Sequence, residues 1–478
     1  MKYQEKLQRL QEQINEQDIQ MLDLKFVDLS GKFRHVTLPA GALTEDLLTD
    51  GVGFDGSSVG FKSVKSGDMC LIPDLDSAFI DPFWTRPTMS MICDIVEADT
   101  REPFIGDPRS IARRAVDFIR QSGVARDVFL LPEFEFNIMD EVSYEVTPHR
   151  CFFDIESNES SRTSKNPDNP LSGYWIPDQQ GYHRAPPHDF YRNIRAEIVE
   201  GLEFLEMDVK YHHHEVGATG QQEIELNMGP MMRMCDNAML VKYYVHNVVI
   251  NYGLTATFMP KPIAGEAGNG MHMHFRLEGE KRAPLFYSDS DPTGLSDLAY
   301  CFIGGIIHHG RSLSAFTNPS TNSFRRLIPG FEAPTNLFFS LGSRNAAIRI
   351  PKYATTPEKK RFEIRCPDAT CNIYFATAAV IMAGLDGVRK GIHAGEKGWG
   401  PFNDIRTESR KVQRRIPRLP TSLEEALKDL EKDHEYLRDG DVFTQQLIDG
   451  WITSKRQKEI LPMQQTPTPL EFQLYYSC

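Results

Sequence analysis

The chain has no surplus of base. Its 53 lysines and arginines face 66 aspartates and glutamates, which leaves a formal charge of −13. That balance argues against nucleic acid as a general partner, because a polyanion needs a basic face. An anionic substrate must then be drawn by a local basic cluster. Metal-type cysteine spacing is missing too. None of Cys70, Cys93, Cys151, Cys235, Cys301, Cys366, Cys371 and Cys478 belongs to a C-x-x-C. The expectation is reduced, mostly buried thiols and a cytoplasmic location. No apolar run reaches membrane length. The most apolar one, Ile373 to Leu385, is alanine-rich and reads as a buried helix. The start, Met-Lys-Tyr-Gln-Glu-Lys-Leu-Gln, lacks the apolar stretch of a signal peptide. A Walker loop and a kinase glycine loop are both absent, so a nucleotide would need another cradle. Internal repeats and low-complexity tracts are absent as well.

What is present is an ordinary soluble composition, 40% hydrophobic and 25% charged, over 478 residues. Residues 1 to 19 read as an amphipathic helix. Met21 to Asp28, Phe33 to Leu38, Met69 to Ile72 and Met89 to Val96 read as short strands, with Phe54-Asp55-Gly56-Ser57-Ser58 as a loop. This small sheet domain ends near Ile105. Asp107 then caps a helix that opens on Pro108 and stops at Gly123. Val128 to Met139 is a strand. Ser157 to Pro170, rich in Asn, Ser and Pro, reads as a long mobile loop. Helices are expected over Asp189 to Glu206, Asn237 to Tyr252 and Ser296 to Leu313. Ser422-x-x-Glu425 is a capping box for another. The class is α+β, with a mainly antiparallel sheet flanked by helices in the larger part.

The chemistry concentrates in a few stretches. Glu215 and Glu223 flank Gly217-Ala218-Thr219-Gly220 in a predicted hairpin. Two acids brought face to face ask for a cation; the plain alternative is a surface hairpin with scattered acids. Glu133 and Glu135 share one strand face by period two. His272 and His274 share another, after Gly265, Gly268 and Gly270, and Glu363 lies in Arg-Phe-Glu-Ile-Arg. Five carboxylates and an imidazole suit Mg²⁺ or Mn²⁺ better than zinc or copper. Arg344, Arg349, Arg361 and Arg365 follow in the basic region 317 to 368. Guanidinium groups clamp phosphate and carboxylate bidentately, although such a run can also be a solvated face. Divalent ions with several arginines are what phosphoryl transfer needs. His212 and His213 read as packing residues.

Taken in order, these motifs resemble type I glutamine synthetase almost end to end. The resemblance rests on Phe54–Ser58, Pro132-Glu133-Phe134-Glu135-Phe136, His213-His214-Glu215 with Gly220-Gln221-Gln222-Glu223, and Gly270-Met271-His272-Met273-His274. Asn322 to Pro334, Arg344 to Pro351, Glu363-Ile364-Arg365 and Glu471 to Ser477 extend it. It implies a β-grasp-like domain over residues 1 to 105 and a catalytic domain over 106 to 478. It also implies a homo-oligomer, a dodecamer of two stacked hexagonal rings with sites between subunits, and no membrane. The implied activity is ATP-dependent ligation of glutamate to ammonium through γ-glutamyl phosphate, with two or three Mg²⁺ or Mn²⁺ per site. One metal would sit on Glu135, Glu215 and Glu223, another on Glu133, His272 and Glu363. Asp55, Glu332 and Arg344 would be catalytic, with Asp55 serving the adjacent chain. Ser58, Tyr182, Gly268, Arg326, Glu332 and Arg365 would bind substrate. Lys210, His274, Arg276, Arg344, Arg349 and Arg361 would meet ATP.

The chain departs from the family at several of these positions. Ala267 stands where Asn is usual before the glutamate glycine. Lys210 replaces an acid and Arg276 a serine on the nucleotide side. One extra residue between Pro351 and Glu363 leaves the family's ATP lysine unassigned. Asn403 occupies the adenylylation-tyrosine position and Ser63 that of a feedback arginine, so neither control is expected. Relatives on the scaffold join glutamate to polyamines or other alkylamines, which is the alternative activity. A non-catalytic assembly protein is a third reading.

Overall fold

The computed structural model describes residues 3–478 apart from 167, 170 and 332. Helix α1 (Tyr3–Glu16) buries Leu7 and Leu10 on a sheet of strands β1 (Met21–Val27), β2 (Phe33–Pro39), β3 (Val52–Asp55), β4 (Asp68–Pro73), β5 (Phe79–Ile80) and β6 (Thr88–Glu97). A short α2 (Glu45–Thr49) sits between β2 and β3. The strand order is β2-β1-β6-β4-β3, with β5 beside β6, and only β1 and β6 run parallel. A single apolar cluster drawn from residues 7 to 104 fills this part. The loop expected at Phe54–Ser58 begins inside β3. The strand was hidden because it is four residues long, contains Gly53 and pairs only with β4.

Helix α3 (Pro108–Gln121) opens as expected: the Asp107 side chain accepts from the Ser110 N–H, and Gly123, at φ 73°, follows the last turn. Its face of Ile111, Ala112, Ala115 and Ile119 is fully buried. Burying each isoleucine contributes about 1.5–3 kcal/mol. The strands of the larger sheet are β7 (Asp127–Met139), β10 (Val209–His214), β11 (Gln221–Leu226), β12 (Gly229–Pro230), β13 (Thr255–Thr257), β14 (Met273–Glu278), β15 (Phe339–Ser340), β16 (Ile348–Arg349) and β17 (Phe362–Ile364). Strands β8 (Glu141–Thr147) and β9 (Arg150–Glu156) form a separate hairpin. The main order is β10-β11-β7-β14-β17-β16-β15, with β12 and β13 also on β7. Only β15 and β16 are parallel, so the sheet is mainly antiparallel and the class is α+β as expected.

Helices cover the sheet's other face: α4 (Arg192–Phe204), α5 (Met231–Asn251), α6 (Asp297–His308), α7 (Gly310–Thr317), the single turn α8 (Ser323–Arg326) and α9 (Ile373–Lys390). Helix α9 is buried from Ile373 to Gly387, as its composition foretold. It meets α6 at a glycine pair: a Cβ on Gly305 would fall 2.1 Å from the Ala383 carbonyl oxygen. The expected helix over Ser296 to Leu313 is broken at His309 into α6 and α7. The expected Asp189 helix starts at Arg192, without a side-chain cap, and Asp189 pairs instead with Arg195 one turn in. The Asn237 helix starts earlier, at Met231.

Two expectations need qualifying. The described residues of 157–170 form a loop, as expected, but it is anchored rather than wholly solvated. Ser157, Glu159 and Ser160 are buried, and the Glu159 carboxylate takes the Phe190 N–H at 2.9 Å and the His214 Nε2 at 3.0 Å. The Ser422 cap also differs. Ser422 accepts from the Glu425 N–H, but the Glu425 carboxylate returns to the Thr421 N–H rather than to Ser422. All eight cysteines are unpaired, and five of them are buried. Among the described residues no helix is long and apolar enough to cross a membrane.

Candidate active site

Strand β7 positions the site. Phe134, Phe136 and Ile138 point into the apolar core and are fully buried. Period two then turns Glu133, Glu135 and Asn137 to the opposite face. On β11 the same alternation presents Gln221, Glu223 and Glu225, because Ile224 and Leu226 are fully buried in the core. Register completes the arrangement. Glu223 stands opposite Glu135, and Glu225 opposite Glu133. Across β10 and β11, His213 stands opposite Glu223, with Glu215 one residue past the strand end. On the far side of β14, Glu363 pairs with His274 and also with Arg349 of β16.

These side chains line a cleft of about 590 Å³. Glu133, Glu135, Glu215, Glu223, His272 and Glu363 all reach it, with Tyr182, Gly268, Arg326, Arg344, Arg349 and Arg365. His272 Nδ1 lies 2.8 Å from Glu133 and 3.8 Å from Glu363. Its Nε2 lies 3.7 Å from Glu135. Glu133, His272 and Glu363 bring ligand atoms within 4.8 Å of one another, as do His213, Glu215 and Glu223. The first group is the expected one. In the second, His213 stands where Glu135 was expected; Glu135 gives one oxygen to the Gly270 N–H at 2.6 Å. His213 was read as packing, and only the cross-strand register could have revealed it.

The two ends of the cleft differ electrostatically. Burial alone would raise Glu133, but His274 and His272 hold it well below the usual carboxylate range. Burial opposes the charge on Glu363 too, yet Arg365 brings it down to about 2. Arg365 and Arg349 share this carboxylate, the latter at 2.6 Å. At the other end the shifts run the opposite way. Burial and then Glu135 push Glu215 well up, and burial with Glu133 and Glu135 does the same to Glu223. A crowded, buried, uncompensated carboxylate set is a place that a hard divalent ion would stabilise.

The remaining expected residues fall in three places. His274 is fully buried beneath the cleft, between Glu133 at 2.7 Å and the Arg361 Nε at 3.3 Å. Arg361 lies over the ring of Tyr353, which lines the cleft. Lys210 bonds Glu225 at 2.6 Å, and Arg276 bonds Glu278 at 2.6 Å and the Glu358 carbonyl. Asp55 and Ser58 are not brought into this chain's cleft. They bond each other at 2.6 Å at the exposed end of β3, where hydrogen bonds from Ser57 and Ser58 hold the Asp55 carboxyl below its usual value. Glu332 lies outside the described residues; Phe331 and Ala333 on either side of it line the cleft. Sequence reasoning missed Glu225, Tyr211, Tyr353 and Gln179, none of which carries a local signature.

A carboxylate floor and a guanidinium wall on a mainly antiparallel sheet make a class of cleft chemically suited to divalent cations and anionic groups. Residues 105–475 match the family described as glutamine synthetase, catalytic domain, and residues 18–98 the one described as glutamine synthetase, beta-Grasp domain. The glutamine synthetase of Frankia alni is 41% identical over 467 residues, 97% of each chain. That of Aquifex aeolicus is 42% identical over 465 residues, again 97% of each. Among solved structures, Plasmodium falciparum glutamine synthetase superposes with a TM-score of 0.88 at 26% identity, covering 98% of both chains. A GmaS/ADP complex gives 0.81 at 26% identity, covering 98% of this chain and 99% of that one. The chain belongs to the glutamine synthetase family. Its smaller sheet is the β-grasp unit, and the larger curled sheet is the catalytic one.

Proposed function

We propose that this cleft joins L-glutamate to ammonia, using ATP to make γ-glutamyl phosphate on the way to L-glutamine. The observation that carries the reading is the convergence of six potential metal ligands, from several strands and strand ends, with four arginines around one cleft. In the first step a γ-carboxylate oxygen attacks the terminal phosphorus of ATP, and the bond to the ADP oxygen breaks. In the second, ammonia attacks the acyl carbon and inorganic phosphate leaves. The first step replaces an oxide leaving group, which is poor, by phosphate, which is competent.

Glu133, His272 and Glu363 would hold one divalent ion, and Glu215 and Glu223, with Glu135 or His213, another. Mg²⁺ or Mn²⁺ bound there would polarise phosphoryl oxygens and neutralise charge developing on them. Glu363 can trade its two guanidinium partners for such an ion. The trade frees Arg365 for the substrate carboxylate and Arg349, beside Arg344, for the phosphoryl group. Arg326 and the Gly268 backbone form the amino-acid end, and Tyr182 supports Arg344 through a hydrogen bond of 3.2 Å. His274, Lys210, Arg276 and Arg361 belong to the nucleotide end.

Ammonium cannot attack while protonated, so a base must take one proton. Asp55 fills that role, and because it lies outside its own chain's cleft it serves a neighbour's. Glu332 would close over the intermediate and exclude water. The reading therefore includes a homo-oligomer, the dodecamer of the family, in the cytoplasm. It also divides the chain into an N-terminal domain of residues 1–105 and a catalytic domain of 106–478.

A steady-state comparison of ammonium with putrescine, ethanolamine and methylamine, with Mg²⁺ and with Mn²⁺, tests the assignment. Phosphate release that requires glutamate, ATP and ammonium together is the expected result. A clear preference for an alkylamine would replace ammonia by that amine, and no glutamate-dependent release would remove the enzymatic reading.

A further inference from the structure

One charged pair beside the cleft, Lys210 with Glu225, carries more than the place at the nucleotide end given to Lys210 above. Glu225 stands opposite Glu133 and is fully buried. Its Oε1 accepts from the Lys210 Nζ at 2.6 Å. Its Oε2 is equally buried and has no hydrogen-bond partner. A buried carboxylate oxygen left without a donor is costly, and a cation is what would relieve it. Glu133, Glu225 and His274 bring ligand atoms within 4.8 Å of one another, so this corner has the donor set of a further divalent site. The Lys210 ammonium stands at that corner. It faces the Tyr211 ring at 4.6 Å and the Tyr353 ring at 5.8 Å, and both rings line the cleft. One carboxylate and two ring faces make a specific seat for a single positive charge.

We propose that Lys210 is a resident cation: its ammonium holds Glu225 and keeps the Glu133–Glu225–His274 corner from taking a divalent ion. Each cleft then carries two divalent ions rather than three, with the lysine supplying the third positive centre. The inference rests on the reading that the Glu133–His272–Glu363 and Glu215–Glu223 groups bind divalent ions. The reason is electrostatic. A fixed ammonium beside Glu225 repels a second cation and consumes the carboxylate charge that would attract it. Unlike a bound ion, it cannot be removed by a chelator.

Counting bound Mn²⁺ on the full-length protein, from the electron paramagnetic resonance signal of the free ion, tests this without any turnover. Wild type should bind two ions per chain. Lys210→Met should bind three, the third at least 10-fold tighter than any third ion in wild type. Lys210→Met combined with Glu225→Gln should return to two. Lys210→Gln removes the charge with less change in polarity and should also bind three, which covers the case that the methionine variant misfolds. A count of two for a folded Lys210→Met or Lys210→Gln protein, or of three for wild type, overturns the proposal. A wild-type count below two overturns the metal reading of the cleft instead, and the proposal with it.

Discussion

Replacing His309 by phenylalanine should cost stability, and the cost should depend on pH in a stated direction. His309 occupies the break between α6 and α7. Its Nε2 lies 2.9 Å from Asp386 and its Nδ1 3.0 Å from Asp433. Carboxylate oxygens only accept, so both ring nitrogens must carry protons and the ring is an imidazolium. Burial works against that charge, but the hydrogen bonds from the two aspartates outweigh it and raise its pKa above 6.5. The ring also stacks on Tyr436 at 4.0 Å. Phenylalanine keeps the ring and the stack but leaves two acids without their shared donor. Stranding a fully buried charge costs about 3–5 kcal/mol. Here Asp386 retains Lys390 at 2.9 Å and Asp433 retains Ser312 at 2.7 Å. The expected loss is therefore smaller, roughly 2–3 kcal/mol near pH 6. For a chain of this length the unfolding entropy is about 1 kcal/mol per kelvin, so the midpoint should fall by about 2–3 °C. A histidine whose folded pKa is raised contributes fully below its unfolded value of 6.5, and the contribution disappears as pH climbs through the folded value. The gap between wild type and variant should thus be widest near pH 6 and narrow towards pH 9. Scanning calorimetry at matched protein concentration at both pH values measures it. Equal stability at pH 6, or a gap that widens with pH, refutes the reasoning.

Two more predictions concern the cleft. A methyl group added by Gly268→Ala would sit 2.4 Å from the Pro260 carbonyl oxygen and 2.9 Å from the Arg326 Cγ. Backbone cannot yield cheaply, so strain of about 1–3 kcal/mol should raise the KM for glutamate roughly 5- to 150-fold while ATP affinity is kept; an unchanged KM would be contrary to the wall proposed here. Glu215 and Glu223, raised by burial and by neighbouring carboxylates, should keep their protons to higher pH than ordinary carboxylates in the metal-free protein. Their raised pKa makes the metal-free form lose stability as pH rises through the folded values, and makes Mn²⁺ binding tighten over the same range with proton release. Titration calorimetry in Pipes and in Tris would detect that release, and affinity independent of pH would count against it.

How far the site could be read without coordinates follows from what each residue depends on. Glu133 and Glu135 were legible because Phe134 and Phe136 between them declare which face of β7 is buried. Two acids two places apart in the buried part of a strand need a cation nearby, and the arginine-rich stretch around Glu363 supplies the matching charge. The hairpin announced itself through glycines on either side of its turn, Gly217 and Gly220, the latter at φ 63°. His213 and Glu225 were not legible in the same way. Each takes its meaning from the residue opposite, and register is a property of two strands that no single stretch records. The same holds for Glu159, which sits in a segment whose composition says loop and whose carboxylate is nevertheless tied to His214 from a distant strand.

Asp55 marks a different boundary. Its chemistry was visible in a glycine–serine setting, but the structure of one chain keeps it on the rim of the smaller sheet, bonded to Ser58 and away from the cleft. A residue that is exposed in its own chain and proposed to serve another's site has neither burial nor a place in its own cleft to reveal it. The exposed Asp55 carboxylate on the smaller domain is the physical reason for proposing that the complete site lies between chains.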